Sequence, residues 1–169
     1  MIAGDWLLIQ VTLSEKAAGR MWLRSPRLRF PMPDPIDSGP PAYINALRTI
    51  MLPRDTNQYG TVFGGVILSF IDQAGFIEAR KHGLHRWVTV AIDRVEFKAP
   101  IHVGDVVSLN TRTIATGRSS VTVEVQVRSE RYLTGEEVDV THARMVMVSV
   151  DAHGQPVPFS SPPTVGITA

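Results

Sequence analysis

The sequence predicts an α+β domain in which one antiparallel sheet wraps around a single long helix. Three observations predict it. There is one stretch of helical periodicity, at 64–82, one strand-like run before it, and four β-rich runs after it.

Ala46 to Leu52 reads as the first strand, and Pro53 stops it. Arg54 to Gly60 is rich in turn formers. Gly64-Gly65 then opens a helix reaching about His82, with Ile67, Phe70, Ile71, Ala74 and Ile77 at the three-and-four spacing of one buried face. Gly83 stands where a helix-terminating glycine is expected. Val88 to Phe97 is rich in β-branched residues and ends before Pro100, and Asp105 to Ala115 is the next run. After a turn at Gly117 to Ser119, Val121, Val123, Val125 and Val127 alternate with Thr122, Glu124, Gln126 and Arg128, the pattern of a half-buried antiparallel strand. Thr134-Gly135-Glu136-Glu137 marks a turn, Val138 to Val150 the last strand, and Asp151 to Gly154 its end. A sheet that covers a lone helix on one side leaves the helix ends and sheet edges needing a partner, so a homodimer is expected.

The predicted domain spans residues 43–152. Residues 1–42 read as a poorly ordered leader: Arg20, Arg24, Arg27 and Arg29 have no acidic residue among them, and Pro31, Pro33, Pro35, Pro40 and Pro41 break helix and strand alike. An organelle presequence is an alternative reading, against which Asp5 and Glu15 count. Residues 153–169 read as a loose, Pro-rich tail. A chain of 169 residues buries enough surface to hold a core without disulfide or metal. The absence of cysteine excludes a thiol nucleophile and a cysteine-ligated metal. A net charge of +1 argues against nucleic acid as a partner, and no apolar run approaches a membrane span. A cytoplasmic location is expected.

The chemistry lies between Pro53 and Asp72. Two glycines at a helix start carry an entropic cost, so bare backbone has a use there. One use is ligand approach to the free N–H groups of Gly64 and Gly65 at the positive helix end, where a thioester oxyanion would be stabilised. The other is close packing of the helix start against a strand. Asp72 sits mid-helix with Leu68, Ser69, Gly75 and Phe76 as its three-and-four neighbours and no cation at those spacings. Apolar neighbours would desolvate it and make it a better base; an ordinary solvated position is the alternative. Asn57, in the loop before the helix, has the ordinary role of a turn or cap residue.

Together, Asp55-Thr56-Asn57, Gly60, Phe63-Gly64-Gly65 and Asp72 resemble the signature of the hotdog-fold acyl-CoA thioesterases. They are most similar to the bacterial broad-range acyl-CoA thioester hydrolases and the cytosolic acyl-CoA hydrolases of animals. The resemblance continues through Val88-Thr89-Val90, Phe97, Pro100, Val103-Gly104-Asp105 and Thr116-Gly117-Arg118-Ser119-Ser120, and ends near Asp151. It implies a hotdog fold and hydrolysis of an acyl-CoA thioester, a small-molecule substrate that brings its own coenzyme A, with no other cofactor. Asp72 would act as general base or nucleophile, and Gly64 or Gly65 N–H would hold the oxyanion. Asn57 would reach across the dimer to the water or thioester. Thr89, Arg118, Ser119 and Ser120 would contact substrate, the last three along the coenzyme A arm. Assemblies of a dimer at least are implied, with tetramers and hexamers left open. Phe70, Phe76 and Met147 are candidates for the acyl pocket.

Other signals have plainer explanations. His82 and His85 flank the helix end, where positive groups are favoured, and with His102, His142 and His153 they show no metal spacing. Ser69 and Ser119 lack a nucleophile elbow, and Gly60 to Gly65 lacks the Lys of a phosphate loop. Two further functions compete: an acyl-CoA-binding module without turnover, which needs no unpaired carboxylate, and a hydratase of the same fold. A hydratase relies on a catalytic His or a matching acid motif on the helix, and there is no His between Asn57 and Arg80.

Overall fold

The computed structural model describes residues 41–93 and 95–165; the leader expected at 1–42 lies almost wholly outside them. In chain order they form β1 (Ile44–Ile50), a 3-10 turn, α1 (Gly64–Ala79), a second 3-10 turn (Arg80–His82), β2 (Arg86–Asp93), β3 (Val106–Thr116), β4 (Ser120–Glu130) and β5 (Glu137–Val150). The strands make one five-stranded sheet in the order β1-β3-β4-β5-β2, with every neighbouring pair antiparallel. The expected single helix and wrapped sheet are therefore both present, with β1 and β2 at the edges.

The valines of β4 alternate as expected: Val121, Val123, Val125 and Val127 are fully buried. They face the helix together with Val107, Leu109, Val140, Met145 and Met147, and Ile67, Ile71 and Ala74 meet them from α1. The buried stripe of α1 is Ile67, Ile71, Ala74, Gly75, Glu78 and Ala79. Ile77, expected on that face, instead looks outward, and Phe70 is half-buried. Helix and sheet approach closely at Gly75, where a Cβ would overlap the Met145 thioether. β2 ends at Asp93 rather than Phe97; beyond it the Phe97 ring lies against the start of α1 and Lys98 N–H donates to Val140 O of β5.

One stripe position holds a charge. Glu78 is only 5% exposed. Its carboxylate accepts from the Thr111 hydroxyl (2.9 Å), the Thr113 hydroxyl (3.0 Å) and Lys81 Nζ (2.5 Å). The Thr113 proton is thereby committed, so His82 Nε2, 2.9 Å from the same oxygen, donates to it. Burial alone raises the Glu78 carboxyl; the Lys81 and threonine hydrogen bonds outweigh it and hold the group below its ordinary value. His82 thus serves a side-chain network rather than the helix dipole alone.

The C-terminal tail departs from expectation. Residues from Pro156 to Val165 run over the sheet end instead of standing loose. Val157 N–H donates to Ser149 O, the Phe159 ring packs 5.9 Å from Trp87, and His85 Nε2 donates to Phe159 O at 2.9 Å. The prolines that suggested looseness restrict the chain and lower the entropy lost on docking, while Phe159 supplies an apolar anchor.

Candidate active site

The start of α1 is bare. Phe63 precedes it and no side chain caps it. Gly64 and Gly65 occupy the first two helical positions, whose N–H groups have no intrahelical acceptor, and among the described residues neither finds another partner. The two readings of the glycine pair divide between its members. A Cβ on Gly64 would come within 3.3 Å of the Phe97 ring, so close packing accounts for it. A Cβ on Gly65 would meet nothing within 4 Å, so no packing within the chain asks for glycine there. Beside Gly64 lies an open groove of about 240 Å³ bordered by Thr61, Val62, Phe97, Pro100 and Ile101.

Asn57 shapes the loop that leads into this helix start. Its Oδ1 accepts from Tyr59 N–H (2.9 Å) and Thr61 N–H (3.2 Å), and its Nδ2 donates to the Thr61 hydroxyl at 2.9 Å. This is the turn role that residue type suggests, and it leaves one amide proton over.

Asp72 lies on the exposed side of α1, off its buried stripe. The expectation that its helical neighbours desolvate it is not met within one chain, because Leu68, Ser69 and Phe76 are themselves exposed. Its partner comes from β2: Thr89 Oγ1 is 2.5 Å from Asp72 Oδ1. The same oxygen lies 3.0 Å from Met147 Sδ, a far weaker acceptor than a carboxylate, so the hydroxyl proton belongs to Asp72. Thr89, for which the resemblance implies a substrate contact, sits on the carboxylate. The signal for this pairing was a threonine alternating with Val88 and Val90 on the strand after the helix. Of the suggested acyl-pocket residues, Met147 is buried beside Thr89, Phe76 is exposed and Phe70 packs on the core.

Asp72 and the helix start do not meet in one chain. Gly65 and Asp72 are seven residues apart on one helix, a rise of roughly 10 Å at about 1.5 Å per residue.

Arg118, Ser119 and Ser120 form the turn between β3 and β4, closed by Gly117 N–H donating to Ser120 O at 2.7 Å. Arg118 is exposed and makes no ion pair among the described residues. The turn stands at the end of the sheet, joined to β5 through Ser149 N–H on Ser119 O at 2.8 Å.

Residues 59–135 match the family model described as the thioesterase superfamily. An uncharacterised acyl-CoA thioester hydrolase of Haemophilus influenzae is 40% identical over 112 residues, 64% of this chain and 73% of its own length. The chain belongs to the acyl-CoA thioester hydrolase family. Solved structures agree on the fold of this thioester hydrolase. The hexameric hotdog-fold thioesterase of Campylobacter jejuni superposes with a TM-score of 0.64 at 39% identity, covering 68% of this chain and 89% of that one. A hexameric thioesterase of Yersinia pestis gives 0.67 at 38% identity, covering 72% and 99%. The single helix on a five-stranded antiparallel sheet is thus a hotdog fold. No helix among the described residues is long and apolar enough to cross a membrane.

Proposed function

We propose that this hydrolase cleaves acyl-CoA thioesters to free acid and coenzyme A at a site built jointly by two copies of the chain. The observation that carries the reading is the separation just described. A carboxylate held by Thr89 and an unpartnered helix start lie too far apart to serve one carbonyl, and a second copy supplies the missing half. Exposed apolar side chains support that pairing: Leu68, Phe76 and Ile77 on α1 and Val88, Val90 and Ile92 on the edge strand β2. Packing two copies through this face would also remove water from around Asp72.

In this arrangement the thioester carbonyl of the substrate points its oxygen at Gly65 N–H of one copy, and Asp72 of the other faces the acyl carbon. Asp72 takes a proton from water as the water oxygen attacks, and charge gathers on the carbonyl oxygen at the helix start. Collapse breaks the C–S bond, and the proton held by Asp72 passes to the departing thiolate. Direct attack by Asp72, giving an acyl anhydride that water then opens, uses the same groups. The spare amide proton of Asn57 would hold the attacking water or the carbonyl. Arg118, Ser119 and Ser120 would receive the phosphates at the nucleotide end of coenzyme A. The reaction calls for no cofactor beyond the coenzyme A that the substrate carries, and it suits a cytoplasmic protein.

The test is free-thiol release from acyl-CoAs ranging from acetyl to palmitoyl, with one aromatic acyl group. Turnover should fall at least about a thousandfold in a folded, dimeric Asp72→Ala variant. Binding without turnover in the unaltered protein would instead establish a non-catalytic acyl-CoA module.

A further inference from the structure

We propose that the segment from Pro156 to Val165 is a strap that positions the turn at Gly117 to Ser120 for the nucleotide end of coenzyme A, with Phe159 as its positioning residue. The inference rests on the coenzyme A reading of that turn given above.

The strap holds two parts of the fold at once. At one end it grips the turn: Phe159 N–H donates to Arg118 O at 3.3 Å. Just before that, Val157 N–H donates to Ser149 O and the Ser149 hydroxyl donates to Val157 O at 2.6 Å. Ser149 is the residue whose N–H holds Ser119 O. At the other end it is tied to the connection between α1 and β2, where Arg86 N–H donates to Thr164 Oγ1 at 2.9 Å and Val165 N–H to Leu84 O. Between these ends the Phe159 ring packs on Trp87 and His82, and its carbonyl takes the His85 proton. Gly83, beside it, has a φ of 153°, and a Cβ there would crowd the His85 ring and the Phe159 carbonyl.

The carbonyls of Arg118 and Ser119 are therefore both occupied, one by the strap and one by the strand that the strap grips. The Arg118 side chain is left exposed, with no ion pair among the described residues. A hairpin turn held only at its strand ends sways, and a ligand that contacts it bears the cost of ordering it. Fixing its backbone in advance lowers that cost for the part of the substrate that touches the turn, and for no other part.

That last point sets the experiment. The same acyl group is offered on coenzyme A and on pantetheine, which lacks the nucleotide, and binding of free coenzyme A is followed by calorimetry. Phe159→Ala and Thr164→Val should raise KM for the acyl-CoA and weaken coenzyme A about tenfold, the scale of one charge-assisted contact. KM for the acyl-pantetheine and kcat for both should stay within about twofold, and Phe159→Leu should restore most of the loss. Should Phe159→Ala fail to fold, Thr164→Val carries the comparison. Unchanged coenzyme A affinity in a folded strap variant overturns the proposal, as does an equal loss on both substrates. If the unaltered protein binds no coenzyme A, the coenzyme A reading of the turn falls, and the strap proposal with it.

Discussion

Thr89 on the edge strand donates its hydroxyl to Asp72 on the helix at 2.5 Å, and so fixes the one carboxylate to which the chemistry is assigned. The bond crosses from β2 to α1, so it also locks the helix to the strand. Thr89→Val keeps the shape and removes the proton donor. Its kcat on acyl-CoA should drop by about 10- to 100-fold, the worth of one hydrogen bond to a charged group. Thr89→Ser should retain most of the rate in the same steady-state assay.

The face around that pair should be the dimer contact. Val90 is 45% exposed in the middle of β2. Val90→Lys places a charge where strand edges would meet, a recognised way of blocking edge pairing. Sedimentation should show smaller particles, and thioesterase activity should disappear with the assembly. A monomeric variant with full activity would show that one chain suffices.

Gly75 sets the helix-to-sheet distance. Gly75→Ala forces the buried Met145 thioether to move, and overpacking of this kind costs about 1–3 kcal/mol. Urea denaturation should show the loss, and Gly75→Ala combined with Met145→Ala should behave differently from the sum of the single changes.

Two buried carboxylates make the fold acid-sensitive. Glu78 is described above. Asp105, 3% exposed, accepts from His102 N–H, Arg131, Tyr132 N–H and the Ser129 hydroxyl. Burial pushes its carboxyl up, and those hydrogen bonds outweigh the effect and hold it below its ordinary value. Each group binds its proton less readily folded than unfolded, so each contributes stability above its unfolded value, 4.5 for Glu78 and 3.8 for Asp105. That contribution is lost as pH falls through the folded value. The urea midpoint should therefore decline steeply below pH 4.5. The decline should be shallower in Glu78→Gln, which cannot titrate.

Much of this was legible in the residues. The Gly64-Gly65 pair and Gly83 bracketed the helix, and the valine alternation of β4 reads directly as one buried face. Glu78 was missed, although it falls at helical spacing from Ile67, Ile71 and Ala74 with Lys81 three residues on, the pattern of a buried charge with a nearby partner. Other features were not legible. The exposure of Asp72 depends on which side of the helix the sheet takes, which its nearest neighbours in the sequence do not reveal. The tail read as loose because proline breaks regular structure, yet nothing in its sequence says that Phe159 finds Trp87. The end of β2 at Asp93 and the contact of Phe97 with the helix start, over thirty positions away, were not legible either.

Complementation shows whether the site is shared between two chains. Asp72→Ala and Gly65→Val, each shown to be folded, dimeric and inactive alone, are co-expressed so that dimers form at random. Half the dimers are then mixed, and each mixed dimer holds one intact site, made from Asp72 of one copy and Gly65 of the other. A shared site gives recovery of about a quarter of the unaltered activity. A mixed population as inactive as its parents would contradict it, because both halves of the site would then belong to one chain.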